Sequence, residues 1–274
     1  MARVLILSSY VASSRVGGGA QALALARLGI EPILVPTVLF GRHPGHGAPG
    51  GGAVEAETFA GMIGGVEAQG LFGRLDAVIT GHFSMPEQVA IAADTLGRVK
   101  ATAPHTRLIV DPIMGDADKG LYVREAVAKA VASLLVMCAD VVAPNAWELG
   151  RLTGRPVTDA ASAIAAARLL GKPVMVSSIR SRGEIGAAYV DGDDAWLATH
   201  AAAAIAPNGT GDLLTALFTA ALLGQHPPPA ALELALSGVA DAVAASTGLD
   251  ELPLTALPAV LLSSSRVRLT PLHG

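Results

Sequence analysis

The sequence predicts an α/β fold in which helices cover a mostly parallel sheet, and three observations lead there. Short apolar runs alternate with longer Ala- and Leu-rich segments of helical period, the order expected of βαβ units. Carboxylates and glycines gather just after several of those runs, at the strand ends where open α/β sheets bind ligands. Late in the chain Asp191-Gly192-Asp193-Asp194 separates two strand-like pieces, 187–190 and 195–198, which reads as an antiparallel hairpin at the sheet edge.

Taken in order, the first strand falls near 3–8, where Val4-Leu5-Ile6-Leu7 is apolar throughout and suits burial on both faces. Further strands are expected near 31–37, 76–80, 107–111, 139–143 and 173–177, the last two pairs of bounds enclosing Val141-Val142 and Val174-Met175-Val176. Between and after them, helical period places helices near 19–28, 55–68, 86–101, 123–135, 145–152 and 158–169. The hairpin of 185–198 follows, and 211–248 is again helical, interrupted at Pro227-Pro228-Pro229. No repeat and no linker divides the chain, so residues 1–274 are read as one domain.

Composition limits the function. With 274 residues, 51% hydrophobic and 15% charged, the chain can bury a large core. A net charge of −4, a pI near 6.0 and scattered basic residues argue against nucleic acid or an anionic membrane as partner, because phosphate surfaces call for clustered Lys and Arg. The strongly apolar stretch 213–223 is far shorter than the roughly 20 residues of a membrane span, and the N-terminus lacks a full secretory pattern. Cys138 is the single cysteine, read as a buried small hydrophobe, and a reducing cytoplasm is the expected setting.

Three segments carry chemistry. Gly209-Thr210-Gly211-Asp212 runs straight into Leu213-Leu214-Thr215-Ala216-Leu217-Phe218, so a glycine-rich turn opens onto a buried helix. Amides at a helix start lack intrahelical partners and sit at the positive end of the macrodipole, and the glycines let an anion approach closely. An Asp there can act as general base for an alcohol attacking a phosphoryl group, or can simply help to cap the helix. Asp111-Pro112-Ile113-Met114-Gly115-Asp116 puts carboxylates after the strand Leu108-Ile109-Val110. Pro144-Asn145-Ala146-Trp147-Glu148 follows another strand; Asn145 and Glu148 read either as a capping pair or as a carboxylate and amide holding the water shell of Mg2+.

Two glycine clusters remain. Gly17-Gly18-Gly19 lacks the Gly-x-Gly-x-x-Gly spacing, and Glu31 begins the next strand instead of ending it, so a dinucleotide fingerprint is discounted. Segment 41–52 is a long aperiodic loop, read as a flap over an acceptor substrate or as a surface excursion.

In this order the segments resemble the ribokinase-like superfamily, and within it the vitamin-B6 kinases. The resemblance rests on 111–116, on Gly120 and Tyr122-Val123 soon after, on 144–148, on the late Gly-Thr-Gly-Asp, and on a Val-x-Phe-x-x-His pattern at Val38, Phe40 and His43. It implies a three-layer α/β/α sandwich with a mostly parallel central sheet and an antiparallel edge hairpin. It also implies ATP-dependent phosphorylation of the 5′-hydroxymethyl group of pyridoxal, and of pyridoxine and pyridoxamine, to give pyridoxal 5′-phosphate in a cytoplasmic homodimer.

The roles follow from that resemblance and from the needs of phosphoryl transfer. Asp212 takes the alcohol proton, and the amides around Gly209, Thr210 and Gly211 stabilise the transferring group. Glu148, Asn145 and Asp111 serve Mg2+ with ATP, partly through water; Asp116 serves a monovalent cation such as K+, or is a turn carboxylate. Ala143, Asn145, Glu148, Asp111, Ser177, Ser178, Gly209 and Gly211 form the ATP side, with Ser177 and Ser178 open to being ordinary loop serines. Ser9, Val38, His43, Pro44, Gly45, His82 and Asp212 form the acceptor side. Departures from the pattern fall on that side: Tyr10 stands for a His, Gly18 for an Asn, Pro44 for a polar residue, and His82 for a Tyr. A hydroxymethylpyrimidine or other small-alcohol kinase, and a weakly catalytic B6-binding protein, therefore stay open, although the pyrimidine branch commonly carries Cys where Asp212 stands.

Overall fold

The computed structural model describes residues 1–181, 183–256 and 266–272. The elements run β1 (Arg3–Val11), α1 (Gly17–Arg27), β2 (Glu31–Phe40), β3 (Gly51–Ala53), α2 (Ala56–Ala68), β4 (Ala77–Thr80), α3 (Pro86–Thr102) and β5 (Arg107–Val110). Next come β6 (Gly115–Asp116), β7 (Gly120–Leu121), α4 (Glu125–Ala130), a π segment (Val131–Leu135), α5 (Val136–Cys138), β8 (Val141–Val142), α6 (Ala146–Thr153) and α7 (Ala160–Arg168). The chain closes with β9 (Val174–Ser181), β10 (Glu184–Asp191), β11 (Asp194–Ala201), α8 (Thr210–Leu223), α9 (Pro228–Ala245) and β12 (Arg268–Pro271).

Among the described residues one sheet has the order β12-β11-β10-β9-β8-β5-β4-β1-β2-β3. From β9 to β2 every pairing is parallel; β3 and β10 to β12 are antiparallel additions at the two edges. Alternation along β1 divides the core. Val4 and Ile6 pack with α1, α8 and α9 on one face, while Leu5 and Leu7 pack with Phe59 of α2 and Val89 and Leu96 of α3 on the other. This is the expected three-layer arrangement, and Phe59, Phe83 and Phe218 are fully buried in it. Because β1 lies between β2 and β4, the chain turns to opposite sides after these strands, leaving a crevice outside their carboxyl ends.

The differences from the sequence reading are local. Loop 41–52 is part of a hairpin: β3 pairs with the end of β2, Val38 against Ala53 and Phe40 against Gly51, around a short turn of helix at Pro44–His46. Six glycines and two prolines in 41–52 hide a strand from any periodicity. β1 runs on to Val11 through an irregularity in its pairing with β2 between Ser8 and Tyr10. β9 extends to Ser181, so Ser177 and Ser178 sit in a strand and not in a loop, at the irregularity in its pairing with β10 between Val176 and Ile179. The two-residue strands β6 and β7, and β12, carry too little pattern to be predicted. Cys138 is half-exposed at the end of α5, not buried.

Gln88 fastens the flap to the core. Fully buried on α3, it donates from Nε2 to the carbonyls of Thr37 at 2.8 Å and Val54 at 2.7 Å, the two feet of the hairpin, and accepts from the Ser84 amide at 3.0 Å. Replacement by Leu keeps the volume but takes the partner from the Val54 carbonyl and the Ser84 amide, while the Thr37 carbonyl still accepts from the Val54 amide. Gln88→Leu is expected to lower stability by about 2–4 kcal/mol, read from urea unfolding; a loss below about 0.5 kcal/mol would show that the clamp contributes nothing beyond packing.

Candidate active site

Parallel strands deliver the site residues to one side of the sheet. β1 ends beyond Ser9, β4 just before Gly81 and His82, β5 just before Asp111, and β8 just before Ala143. A cavity of about 450 Å3 opens at the crevice. Val11, Val16, Val38, Phe40 and Ile113 give it an apolar wall. Ser9, His82, His43, Pro44 and Gly45 border it from the strand ends and the flap, Asn208, Gly209 and Asp212 from the start of α8, and Asp116, Lys119 and Tyr122 from the β6–β7 hairpin. An apolar slot with a few polar groups is the usual form of a small-molecule site.

All seven residues expected on the acceptor side therefore line one cavity, together with Gly209 and Asp116. Asp111, Ala143, Asn145, Glu148, Ser177, Ser178, Thr210 and Gly211 do not line it; they lie along the ends of β5 and β8, in β9 and in the first turns of α6 and α8.

The sharpest feature is the setting of Asp212. Gly209 precedes α8 with φ 91°, and a Cβ there would meet the Arg15 carbonyl oxygen at 2.2 Å, so only glycine fits. No side chain caps α8, which leaves its first amides open to an anion. The Gly17 amide donates to Asp212 Oδ2 at 2.8 Å, while Oδ1 is shielded from solvent and has no protein partner. Burial pushes this carboxyl up to about 6, against the hydrogen bond from Gly17 that pulls it down. Gly17 has φ 59°, and a Cβ on it would overlap Ser9 Oγ at 2.0 Å. The glycine run discounted as a dinucleotide fingerprint thus has another purpose: it brings the start of α1 against Ser9 and gives the Asp a donor. Sequence reasoning missed that role, although glycines between a first strand and a helix were the visible signal.

One turn along α8, Thr215 Oγ1 donates to Asp111 Oδ2 at 2.8 Å. Burial holds the Asp111 carboxyl well above its ordinary range, with the charges of Glu148 and Asp212 adding to it. Asn145 and Glu148 form a reciprocal capping box on α6, so the capping reading is realised. The pair also reaches outward. Glu148 Oε1 accepts from the amides of Met114 at 2.8 Å and Gly115 at 3.4 Å, and Asn145 Nδ2 donates to the Gly115 carbonyl at 2.8 Å. They therefore fix the base of the β6–β7 hairpin. Burial raises Glu148 to about 7 despite these hydrogen bonds. In the same hairpin Asp116 Oδ1 accepts from the Asp118 and Lys119 amides at 3.0 and 2.6 Å, the work of a turn carboxylate.

His82 presents a buried Nδ1 without a protein partner, and burial lowers its imidazole to about 4, so it is neutral near pH 7. His43 is also held below its ordinary value, by burial first and then by Lys119 and His46; its Nδ1 accepts from the Gly45 amide at 3.1 Å. The Ser177 amide donates to the Pro144 carbonyl at 2.9 Å, and Ser178 takes a left-handed backbone, φ 62°, which is uncommon for a residue with a side chain. Among the described residues no three His, Cys, Asp or Glu side chains converge as a direct metal cage, and no helix is long and apolar enough to cross a membrane.

Residues 72–254 match the family model described as phosphomethylpyrimidine kinase. A pyridoxal kinase of Leifsonia xyli is 34% identical over 252 residues, 89% of each chain. A pyridoxine/pyridoxal/pyridoxamine kinase of Bordetella avium is 37% identical over 228 residues, 80% of this chain and 77% of the relative. Among solved structures, a pyridoxal kinase from Leishmania donovani in complex with ADP and pyridoxamine superposes with a TM-score of 0.92 at 26% identity, covering 99% of this chain and 100% of the other.

The buried carboxyls make stability depend on pH. A carboxyl raised on folding favours the folded state below its unfolded value, near 4, and that contribution is lost as pH rises through the folded value, about 6 for Asp212 and about 7 for Glu148. The urea midpoint is expected to fall from about pH 5 to about pH 8, and to fall less in Asp212→Asn, which keeps an oxygen for the Gly17 amide. A midpoint that is flat or rises across this window would contradict the burial of these groups.

Proposed function

The chain belongs to the phosphomethylpyrimidine kinase family, with pyridoxal kinases among its relatives, and on that premise we propose that it transfers the γ-phosphoryl group of ATP to the 5′-hydroxymethyl group of pyridoxal. One observation carries the reading: the acceptor-side residues share a single apolar cavity, and Asp212 borders it with one carboxylate oxygen held by Gly17 and the other free.

The pyridine ring lies against Val38, Phe40 and Ile113, with Ser9 and the free Nδ1 of His82 at its polar edge and His43, Pro44 and Gly45 covering it from the flap. Asp212 Oδ1 accepts the alcohol proton as the substrate oxygen bonds to the γ-phosphorus and the bond to the ADP oxygen breaks. The amides of Thr210 and Gly211, at the start of α8, stabilise the charge that spreads over the transferring group. The nucleotide runs along Asp111, Ala143, Asn145, Glu148, Ser177, Ser178, Gly209 and Gly211. The left-handed backbone of Ser178 supports this placement, because such strain gathers at ligand sites.

The donor set suits a hydrated Mg2+. Buried Asp111 and Glu148 repel negative charge and do not form a direct cage, and Mg2+ takes one or two carboxylates beside substrate phosphates while keeping water. Asp111 and Glu148 would hold the ion, with Asn145 ordering its water; when bound, it neutralises the phosphates. A monovalent cation at Asp116, a homodimer and a cytoplasmic setting complete the proposal. The runner-up is a hydroxymethylpyrimidine kinase, favoured by the description of the matching family model and opposed by the Asp at 212.

ADP release with Mg-ATP is expected from pyridoxal and not from hydroxymethylpyrimidine. Asp212→Asn is expected to lower kcat by about 10²–10⁴-fold while leaving pyridoxal binding nearly unchanged. Turnover only with the pyrimidine would transfer the case to the runner-up, and an undiminished Asp212→Asn enzyme would remove the base.

A further inference from the structure

The proposed site gathers negative charge. Asp116 and Asp212 line the cavity, with Asp111 and Glu148 close behind. Tyr122, on the cavity wall, senses all four: partial burial first, then Glu148, Asp116, Asp111 and Asp212, hold its phenol well above the ordinary range. A polyphosphate brought to such a place needs cationic neighbours. His43 and His82 are held toward their neutral forms, and no Arg lines the cavity, so Lys119 is the one fixed cation among the described lining residues.

Lys119 is also well placed to act. It sits at the tip of the β6–β7 hairpin, whose base is tied down by Glu148 and Asn145 and whose turn is closed by its own amide donating to Asp116 Oδ1 at 2.6 Å. The backbone is thereby fixed while the side chain is exposed, and no carboxylate among the described residues forms an ion pair with it. Its charge reaches the flap, where it disfavours protonation of His43. A mobile ammonium on a rigid turn is a point charge that can follow a moving phosphoryl group.

We propose that Lys119 binds the γ-phosphoryl group of the nucleotide at the mouth of the cavity, from a different element than the α8 amides, and stabilises that group during transfer. This rests on the kinase reading above. No bond to Lys119 forms or breaks; its ammonium only gains contact with phosphoryl oxygens.

Calorimetric binding of Mg-ADP and of a magnesium complex of a non-hydrolysable ATP analogue, to wild type, Lys119→Met and Lys119→Arg, tests it beside steady-state turnover. Lys119→Met is expected to weaken the triphosphate analogue by about tenfold and to lower kcat by at least as much, with ADP and pyridoxal affinities unchanged and Lys119→Arg restoring part of both losses. Equal losses for ADP and the analogue, or no loss for either, would overturn the assignment. If wild type turns over no B6 vitamer yet the analogue-specific loss is present, Lys119 is upheld and the pyridoxal reading falls. Wild type binding neither nucleotide overturns both.

Discussion

A single hydrogen bond, from the Gly17 amide to Asp212 Oδ2, joins the starts of two helices that are 195 residues apart in sequence, and the site is arranged around it. It requires glycine at 17, because any side chain there would occupy the space of Ser9 Oγ, and glycine at 209, because α8 can begin at this place only with a left-handed residue against Arg15. Both helices also pack with β1 in one core cluster, so the bond rests on the centre of the sheet. Its electrostatic effect is double. The amide opposes the upward push of burial on Asp212, and it engages one oxygen while the other has no protein partner.

A second constraint sets the opposite border of the cavity. The capping box of Asn145 and Glu148 would satisfy α6 by itself, yet both side chains also bind the backbone at 114–115. The cap of one helix is thus the anchor of the β6–β7 hairpin, which carries Asp116, Lys119 and Tyr122 to the site. Gln88 does the corresponding work for the flap, tying Thr37 and Val54 to α3. The flap and the β6–β7 hairpin are therefore anchored by hydrogen-bonded side chains, Gln88 and Glu148 buried and Asn145 partly buried, the support that a positioned site requires.

The sequence made the sheet centre and the strand ends legible because period-2 and continuous apolar runs report burial directly, as in Val4 to Leu7. That Asp212 and the residues expected on the acceptor side share one cavity was legible through motif order and resemblance. What stayed hidden depends on partners far along the chain. Gly17 looks like a broken fingerprint until α8 is folded beside it; Gln88 looks like a polar helix residue until the flap crosses it. Short strands such as β6 and β7 exist through pairing alone, and with them Lys119 was invisible as a site residue. Ser177 and Ser178 show the same limit, since they fall at the irregularity in the pairing of β9 with β10.

The central claim is that a buried Asp212, with one oxygen held by Gly17, is the base. The pH dependence of kcat/KM for pyridoxal tests it most directly, because that ratio reports the free enzyme. An acidic limb centred near 6, the raised value of this carboxyl, and absent from the residual activity of Asp212→Asn, is the predicted result. A limb near 4, the range of an exposed carboxylate, or one that persists unchanged in Asp212→Asn, would contradict the account.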